Sequence, residues 1–233
     1  MNIRDFYTRF LKPGKVVTDS RKVKPGDIFI ALTGDNFDGN QFTEVALGAG
    51  AAVAVVYGAV KTDDPHVVRV ENSLIFLQDL ARYHRRQSDL TVIAITGTNG
   101  KTTTKELLFG MLSRQFNTQA TVGNLNNHIG VPLTLLNMRH DTQYGIVEMG
   151  ANHPGEIKEL CEIAEPDCGL ITNIGKAHLE GFGGYEGVKK TKAELYGYLK
   201  STKGTIFINE SDPVLTELAG SFEHRVSYNT PGT

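Results

Sequence analysis

The residues best suited to chemistry lie in one run, Gly97-Thr98-Asn99-Gly100-Lys101-Thr102-Thr103. The run follows an apolar segment, residues 92–95, that is typical of a buried strand, and a helical pattern comes after it. A strand, a tight glycine loop and a helix N-terminus form a phosphate cradle, because backbone N–H groups and the helix dipole attract anions. Lys101 adds a positive charge, and the Thr102 hydroxyl is placed to bind magnesium on the phosphates.

This loop departs from the usual phosphate-binding pattern G-x-x-x-x-G-K at its first glycine. Ile95 and Thr96 stand where that glycine is expected. We therefore predict a shorter-loop variant of the cradle. A chance glycine loop is the alternative, and the strand before the loop and the helix after it make that explanation the weaker one.

Composition excludes several classes of protein. The chain of 233 residues is long enough for one large or two small domains, and 40% hydrophobic with 21% charged residues is ordinary for a globular protein. A net charge of -2 gives no electrostatic footprint for nucleic acid. No apolar run reaches the ~18 residues of a membrane span and no signal-peptide core is present, so we expect a cytoplasmic protein. Burial explains Cys161 and Cys168 better than a disulfide or a metal site does.

Strand and helix patterns alternate along most of the chain. Strands are predicted at 16–18, 28–32, 52–56, 67–70, 92–95, 118–122, 144–147, 169–172, 205–208 and 225–227, and helices at 3–10, from an N-cap at Ser73, and at 131–138, 156–163, 184–199 and 214–219. Residues 34–39 are rich in turn formers and predict a loop. The alternation predicts an α/β fold with a mostly parallel sheet and helices on both faces. A polar stretch at 84–89 marks a predicted boundary between a small α/β domain, 1–88, and a P-loop NTPase-like domain, 89–233.

Parallel sheets bind ligands at the carboxyl ends of their strands, so the glycine loop, Glu148 and the segment after Thr172 should share one edge. Glu148 directly follows an apolar strand, which is typical of the second ligand of nucleotide magnesium. A solvated acid in a turn is the alternative. His178 comes just past another strand end and is a weaker candidate, because an isolated histidine is more often a surface or core residue than a ligand.

Three further groups have ordinary explanations that compete with functional ones. Lys192 lies in a lysine-rich helix, where a solvated helix face is the expected environment. Asn126 and Asn127 crowd a loop in which their amides could bind phosphate or an acyl substrate, or simply form turns. Ser20 and Arg21 follow a strand, and Arg21 could hold an anionic substrate or a surface ion pair.

Together these motifs resemble those of the Mur ligases, the ATP-dependent amide-forming enzymes of peptidoglycan precursor synthesis. The resemblance is carried by residues 96–103, by Glu148-Met149-Gly150-Ala151, and by Asn173-Ile174 with His178. Residues 124–136 and 150–157 are most similar to the members that add D-alanyl-D-alanine to UDP-MurNAc-tripeptide. In the first domain, Asp19-Ser20-Arg21 and Phe37-Asp38-Gly39 are similar to the family's UDP-sugar-binding module.

The resemblance implies roles that the patterns alone leave open. The loop of residues 97–103 would bind ATP, and two magnesium ions would be held by a set of four residues: Thr102, Glu148, His178 and Lys192. The catalytic residues would be Lys101, Glu148, His178 and Lys192. The substrate-binding residues would be Ser20, Arg21, Asn126 and Asn127. Lys192 would carry a carbamate, which can orient a metal ion where an ammonium would repel it.

The implied reaction has two steps. The terminal carboxylate of UDP-MurNAc-tripeptide attacks the γ-phosphate of ATP to give an acyl phosphate, and the amine of D-alanyl-D-alanine then attacks the acyl carbon. We expect a monomer with no nucleic-acid or membrane partner. The family's third domain has no counterpart in this sequence, so we expect a truncated chain that is weakly active or inactive. The alternatives are a non-catalytic nucleotide or UDP-sugar binding module, and another Mur-type ligase.

Overall fold

A computed structural model describes residues 2–11, 14–34, 37–58, 60, 62–175 and 179–229. The chain divides into two compact units, Met1–Gln87 with Leu135–Asn137, and Ser88–Thr134 with Met138–Thr233. Across these described ranges, every helix is too short or too polar to cross a membrane.

The strands of the first unit are β1 (Val16–Val17), β2 (Ile28–Ile30), β3 (Thr33–Gly34), β4 (Phe37–Asp38), β5 (Val53–Tyr57) and β6 (Val67–Val70), and its helices are α1 (Ile3–Phe6), α2 (Thr43–Gly48) and α3 (Ser73–Arg86). Four of these strands form a parallel sheet in the order β1-β2-β5-β6. Short 3-10 helices at Ser20–Lys22 and Gly39–Phe42 connect these elements. Phe29, Ala54 and Val56 belong to a buried apolar cluster that also includes Ala46 of α2.

Two local predictions for the first unit were wrong, and a third holds for the helix itself but not for its type throughout. The predicted helix at 3–10 is α1 followed by a π-helical turn, Tyr7–Leu11. The predicted loop at 34–39 contains the antiparallel pair β3 and β4. Asn72, not Ser73, caps α3, because the Asn72 side chain accepts hydrogen bonds from two backbone N–H groups of the first turn.

The second unit is a six-stranded sheet of order β12-β11-β10-β7-β9-β8, and every pairing in it is parallel. The strands are β7 (Thr91–Thr96), β8 (Thr118–Ala120), β9 (Tyr144–Glu148), β10 (Cys168–Ile171), β11 (Thr205–Asn209) and β12 (Arg225–Tyr228). The helices are α4 (Lys101–Leu112), α5 (Gly130–Leu136), α6 (Glu156–Ala164), α7 (Leu179–Phe182), α8 (Tyr185–Thr202) and α9 (Pro213–Ala219). The predicted parallel sheet is confirmed, and the predicted element ends differ from the observed ones by at most three residues.

Helices cover both faces of this sheet. Ile95, Ile146 and Leu170 share a buried cluster with apolar side chains of α4. Gly169 points to the opposite face, where an added Cβ would lie 3.3 Å from the α8 side chain of Leu195. Side chains alternate between the two faces of a strand, so α4 and α8 pack on opposite sides of the central strands.

Candidate functional site

Three neighbouring strands of the second unit end at one level. Ile95 pairs with Glu148 across β7 and β9, and Thr96 pairs with Ile171 across β7 and β10. The connection from β7 runs to β8 on one side, while β10 lies on the other side. This point, where the direction of strand order reverses, is where open parallel sheets bind ligands. The predicted grouping of Glu148 with the glycine loop and the segment after Thr172 is therefore found.

The glycine loop lies against the segment that follows β10. Gly97 has φ +144°, and a Cβ there would lie 2.0 Å from the Thr172 hydroxyl oxygen, so no other residue fits without displacing this wall. The backbone N–H of Thr98 donates to the Asn173 carbonyl at 3.0 Å, and the side chain of Asn173 donates to the Asn99 carbonyl at 2.9 Å. These bonds fix the loop against the segment that follows β10.

Lys101 is the first residue of α4, and its side chain folds back over the loop. Its Nζ donates to the carbonyl oxygens of Gly97 at 2.8 Å and Thr98 at 3.0 Å. Burial lowers the pKa of Lys101, and the Glu148 carboxylate opposes that shift. The ammonium therefore lies at the mouth of the loop, where it can meet an anion without a change in the backbone.

Glu148 is buried, with 2% of its surface exposed, and several donors hold it in place. The Thr102 hydroxyl donates to Oε2 at 2.9 Å, and the Asn126 amide donates to Oε1 at 2.9 Å. The backbone N–H of Glu148 donates to the Thr121 hydroxyl at 3.0 Å. The solvated-acid interpretation of Glu148 is therefore wrong, and Thr102 and Glu148 present two oxygen atoms side by side.

Lys192 projects from α8 and is 4% exposed, so the interpretation as a solvated helix face is wrong. Its Nζ lies 5.6 Å from the centre of the Phe182 ring. Burial, and next the positive charge of Lys101, lower the pKa of Lys192 to about 8, against the opposing effect of Glu156 and Glu194. A lysine with such a pKa is partly neutral near physiological pH, which makes it a nucleophile.

Lys101 and Lys192 line one cavity of about 300 Å³, and Asn126 in its wall is hydrogen-bonded to Glu148. Its walls are the glycine loop, the loop of Asn126 and Asn127, the turn after β9, and residues of α6 and α8. The Asn127 side chain accepts from Ile129 and Gly130 N–H groups at 3.1 and 2.8 Å, and thus caps α5 as a turn former does. Asn126 instead contacts Glu148, so the two asparagines differ in what they hold.

The residues of the second unit suit a magnesium–nucleotide ligand. Magnesium prefers oxygen ligands, and the Thr102 hydroxyl and the Glu148 carboxylate supply them beside a phosphate-type loop. His178, a predicted metal ligand, lies outside the described residues. Within the described part of the chain, no group of three or more His, Cys, Asp and Glu side chains is arranged so that it could hold a metal ion. Among the described residues of this site, the Thr102 hydroxyl and the Glu148 carboxylate are therefore the adjacent oxygen atoms that suit a metal ion.

The predicted Ser20 and Arg21 site lies in the first unit. Both residues line a cavity of about 460 Å³, together with Asp19 and the rings of Phe37 and Phe42. The two rings are stacked, with centroids 5.7 Å apart and planes inclined by 15°. Arg21 makes two hydrogen bonds of 2.9 Å to Asp19, which lower the pKa of that carboxyl to about 2. The surface ion pair that the sequence left open is thus present beside the cavity.

Two acidic residues that hold the second-unit site together were not predicted from the sequence. Glu156 caps the turn after β9 by accepting from the Asn152 and His153 N–H groups at 2.6 and 3.1 Å. Glu194 on α8 accepts from Gly155 and Lys158 N–H groups at 2.8 and 2.9 Å, which joins α8 to the start of α6. An acidic residue next to a glycine at a helix start is a sequence signal that could have found Glu156. Glu194 has no such signal, because its role depends on a tertiary contact between α8 and α6.

Comparison with known protein families assigns both units. A family model described as "Mur ligase middle domain" matches residues 95–230, and one described as "Mur ligase family, catalytic domain" matches residues 15–86. The chain belongs to the Mur ligase family. The predicted family resemblance is confirmed.

Within the Mur ligases, the chain is similar to proteins named UDP-N-acetylmuramoyl-tripeptide--D-alanyl-D-alanine ligase. It is 40% identical to the one from Bacillus subtilis over 203 residues, covering 86% of this chain and 44% of that protein. It is 42% identical to the one from Escherichia coli over 184 residues, covering 79% of this chain and 40% of that protein. The chain thus spans about half the length of the curated relatives it matches.

Solved Mur ligase structures share the fold. MurF from Acinetobacter baumannii superposes with a TM-score of 0.83 at 38% identity, covering 92% of this chain and 47% of that one. MurF from Thermotoga maritima in complex with ADP superposes with a TM-score of 0.83 at 34% identity, covering 95% of this chain and 52% of that one.

Proposed function

We propose that this chain forms the nucleotide-binding and UDP-substrate-binding part of an ATP-dependent ligase that joins D-alanyl-D-alanine to UDP-MurNAc-tripeptide. The observation that carries the proposal is the meeting of the glycine loop, Lys101 and Lys192 around one cavity. Asn126, in the wall of this cavity, is hydrogen-bonded to Glu148 of the Thr102–Glu148 oxygen pair. Activation of a carboxylate by ATP needs such an arrangement, because the phosphoryl group must be held and its charge offset. The names of the relatives from B. subtilis and E. coli supply the substrates.

Each residue has a role in this proposal. Backbone N–H groups of the loop and Lys101 bind the ATP phosphates, and Thr102 with Glu148 would hold magnesium, which offsets phosphate charge. Asn126 keeps the Glu148 carboxylate oriented through its 2.9 Å hydrogen bond. The stacked rings of Phe37 and Phe42 offer a flat apolar surface to the uracil of the UDP-substrate.

Lys192 is proposed to bear a carbamate. Its Nζ is buried in the cavity that also contains Lys101, and two unmodified ammonium groups there would repel each other. The neutral amine would attack CO2, forming an N–C bond and releasing a proton, to give a carbamate anion. This anion would remove the repulsion and would supply an oxygen ligand to a second magnesium ion. The lowered pKa supports this reaction, since only the neutral amine is nucleophilic.

Nucleotide binding tests the proposal most directly. We expect the chain to bind Mg-ADP in isothermal titration calorimetry, and Lys101→Met to weaken binding at least about tenfold, because a charge-assisted hydrogen bond contributes about 1.5–3 kcal/mol. Lys158→Met is the matched control, since its side chain is 69% exposed on α6. Equal affinities for the two variants, or no nucleotide binding by the unaltered chain, would contradict the proposal.

Phosphate release separates the ligase from its main alternative. With ATP, UDP-MurNAc-tripeptide and D-alanyl-D-alanine together, release that requires all three supports the ligase. Binding of ATP and UDP-substrate without any release supports a non-catalytic binding module. Release with a different amino component in place of D-alanyl-D-alanine would assign another Mur-type ligase.

A further inference from the structure

Lys105 is a buried cation that the phosphate-loop pattern does not explain. It lies on α4 one turn after Thr102, and 1% of its surface is exposed. Its Nζ donates to the Thr121 carbonyl at 2.7 Å and lies 2.9 Å from a carboxylate oxygen of Glu106. Burying an ammonium costs free energy even when it is paired, and an apolar side chain of similar length would avoid that cost. Its presence therefore needs a reason other than packing.

Thr121 connects this lysine to the site. It follows β8 directly and is 2% exposed. Its carbonyl accepts from Lys105, and its hydroxyl accepts from the backbone N–H of Glu148 at 3.0 Å. The backbone N–H of Thr121 donates to the Ile146 carbonyl at 2.9 Å, which holds the end of β8 beside β9. Thr121 thus joins α4 to the strand end that carries Glu148.

The contacts close into a ring. From α4, Thr102 reaches the Glu148 carboxylate at 2.9 Å, and Lys105 reaches Thr121, which holds the Glu148 backbone. A helix turn is rigid, so two attachments one turn apart fix both the position of α4 along the sheet edge and its rotation. The bond from Lys105 to Thr121 therefore adds to the apolar packing of α4 in keeping Thr102 beside Glu148.

We propose that Lys105 and Thr121 are positioning residues that hold the Thr102 and Glu148 oxygens at the separation required for a magnesium–nucleotide ligand. The inference rests on the proposed function of this site. Both residues are almost fully buried, so they would act on the ligand through Glu148. Residues that orient metal ligands in this way change metal affinity by about 10–100-fold when they are replaced.

Two measurements test the positioning role in the variants Lys105→Met and Thr121→Val. The first is amide hydrogen exchange at Glu148 in the chain without metal or nucleotide, which should become faster in both variants. The second is binding of a fluorescent ADP analogue as magnesium is titrated. The magnesium concentration that gives half of the magnesium-dependent increase in analogue binding should rise about tenfold. Affinity for the metal-free nucleotide should stay unchanged, because Lys101 and the loop are intact.

Matched variants separate positioning from general damage. Glu106→Gln keeps the bond from Lys105 to Thr121 and should leave both measurements unchanged. Thr121→Ser keeps the hydroxyl and should behave as the unaltered chain, whereas Thr121→Val should not. This pair also carries the test if Lys105→Met does not fold, since neither change alters charge.

Some results would overturn the inference. These are an unchanged magnesium requirement in folded Lys105→Met, an equal loss of metal-free and magnesium-dependent nucleotide affinity, or equal impairment by Thr121→Ser and Thr121→Val. Failure of the proposed function looks different, because the unaltered chain would then bind no ADP analogue at any magnesium concentration. Glu148 amide exchange would in that case still decide whether Lys105 fixes this strand end.

Discussion

Lys192 shows how far a single residue can depart from what its sequence neighbours suggest. Its helix carries Lys189 and Lys190, and a lysine cluster ordinarily predicts a solvated face. Lys192 is nevertheless buried, whereas Lys190 is exposed. The carbamate proposed for Lys192 can be tested with ¹³C-bicarbonate by ¹³C NMR, and we expect a carbamate carbon signal that disappears in Lys192→Ala and persists in Lys190→Ala.

The pH dependence of that signal follows from the lowered pKa of Lys192. With a pKa of about 8, about half of the amine is neutral at pH 8, against well under 1% for an ordinary lysine of pKa 10.5. The carbamate signal should therefore grow as pH rises from 6 through about 8. A signal that is flat over this interval, or equally strong without Lys192, would contradict carbamylation at this position. In an active preparation, short carboxylic acids should partly restore Lys192→Ala.

Lys101, Thr102 and Glu148 could be predicted from the sequence, and Lys105 could not. The first three follow a rule of local order, in which a strand leads to a glycine loop and a second strand ends in an acid. Lys105 has the same residue type as exposed helix lysines, and only the tertiary contact with Thr121 distinguishes it. Patterns of residue type therefore find groups that face a ligand more readily than groups that hold those residues in place.

Helices and strands with long hydrophobic patterns could be predicted from the sequence, and those with short patterns could not. The centres of β7, β9 and α8 were predicted because apolar runs and helical spacing extend over several residues. The pair β3–β4 was missed because strands of two residues are too short to show a period. The π-helical turn after α1 was missed because its sequence continues the helical pattern, so hydrogen bonding, not residue spacing, marks the change.

Two glycines of the β7–α4 segment should respond in opposite ways to the same substitution. Gly97→Ala places a Cβ at φ +144° against Thr172. We expect the free energy of unfolding to fall by about 1–3 kcal/mol and nucleotide binding to be lost. Gly110→Ala lies within α4 with open space around the added Cβ, and we expect a gain of about 0.4–1 kcal/mol with unchanged binding. Urea unfolding monitored by circular dichroism gives both values. Equal effects of the two substitutions would show that the glycine loop tolerates a side chain.

For the whole molecule, alternation of strands and helices was sufficient to predict the fold class. It was not sufficient to predict strand order, because the order β12-β11-β10-β7-β9-β8 depends on which long-range pairings form. That order decides function, since it places β7 between β9 and β10 and so brings the glycine loop beside Glu148. The same chemistry-bearing residues in another strand order would lie apart.

The two units should bind different ligands, and hydrogen exchange can locate each one. Mg-ADP at about 100 times its Kd should slow amide exchange in residues 97–103 and 148–152 by about 100-fold. This factor corresponds to a stabilisation of about 2.7 kcal/mol against local opening. UDP at the same ratio should instead protect residues 18–22 and 37–42, which border the cavity with the stacked rings. Lys101→Met should abolish the protection by Mg-ADP and leave the protection by UDP unchanged, because Lys101 lines the nucleotide cavity and not the cavity of the first unit. Protection of the same segment by both ligands would contradict this division, since it would place the UDP moiety in the ATP site.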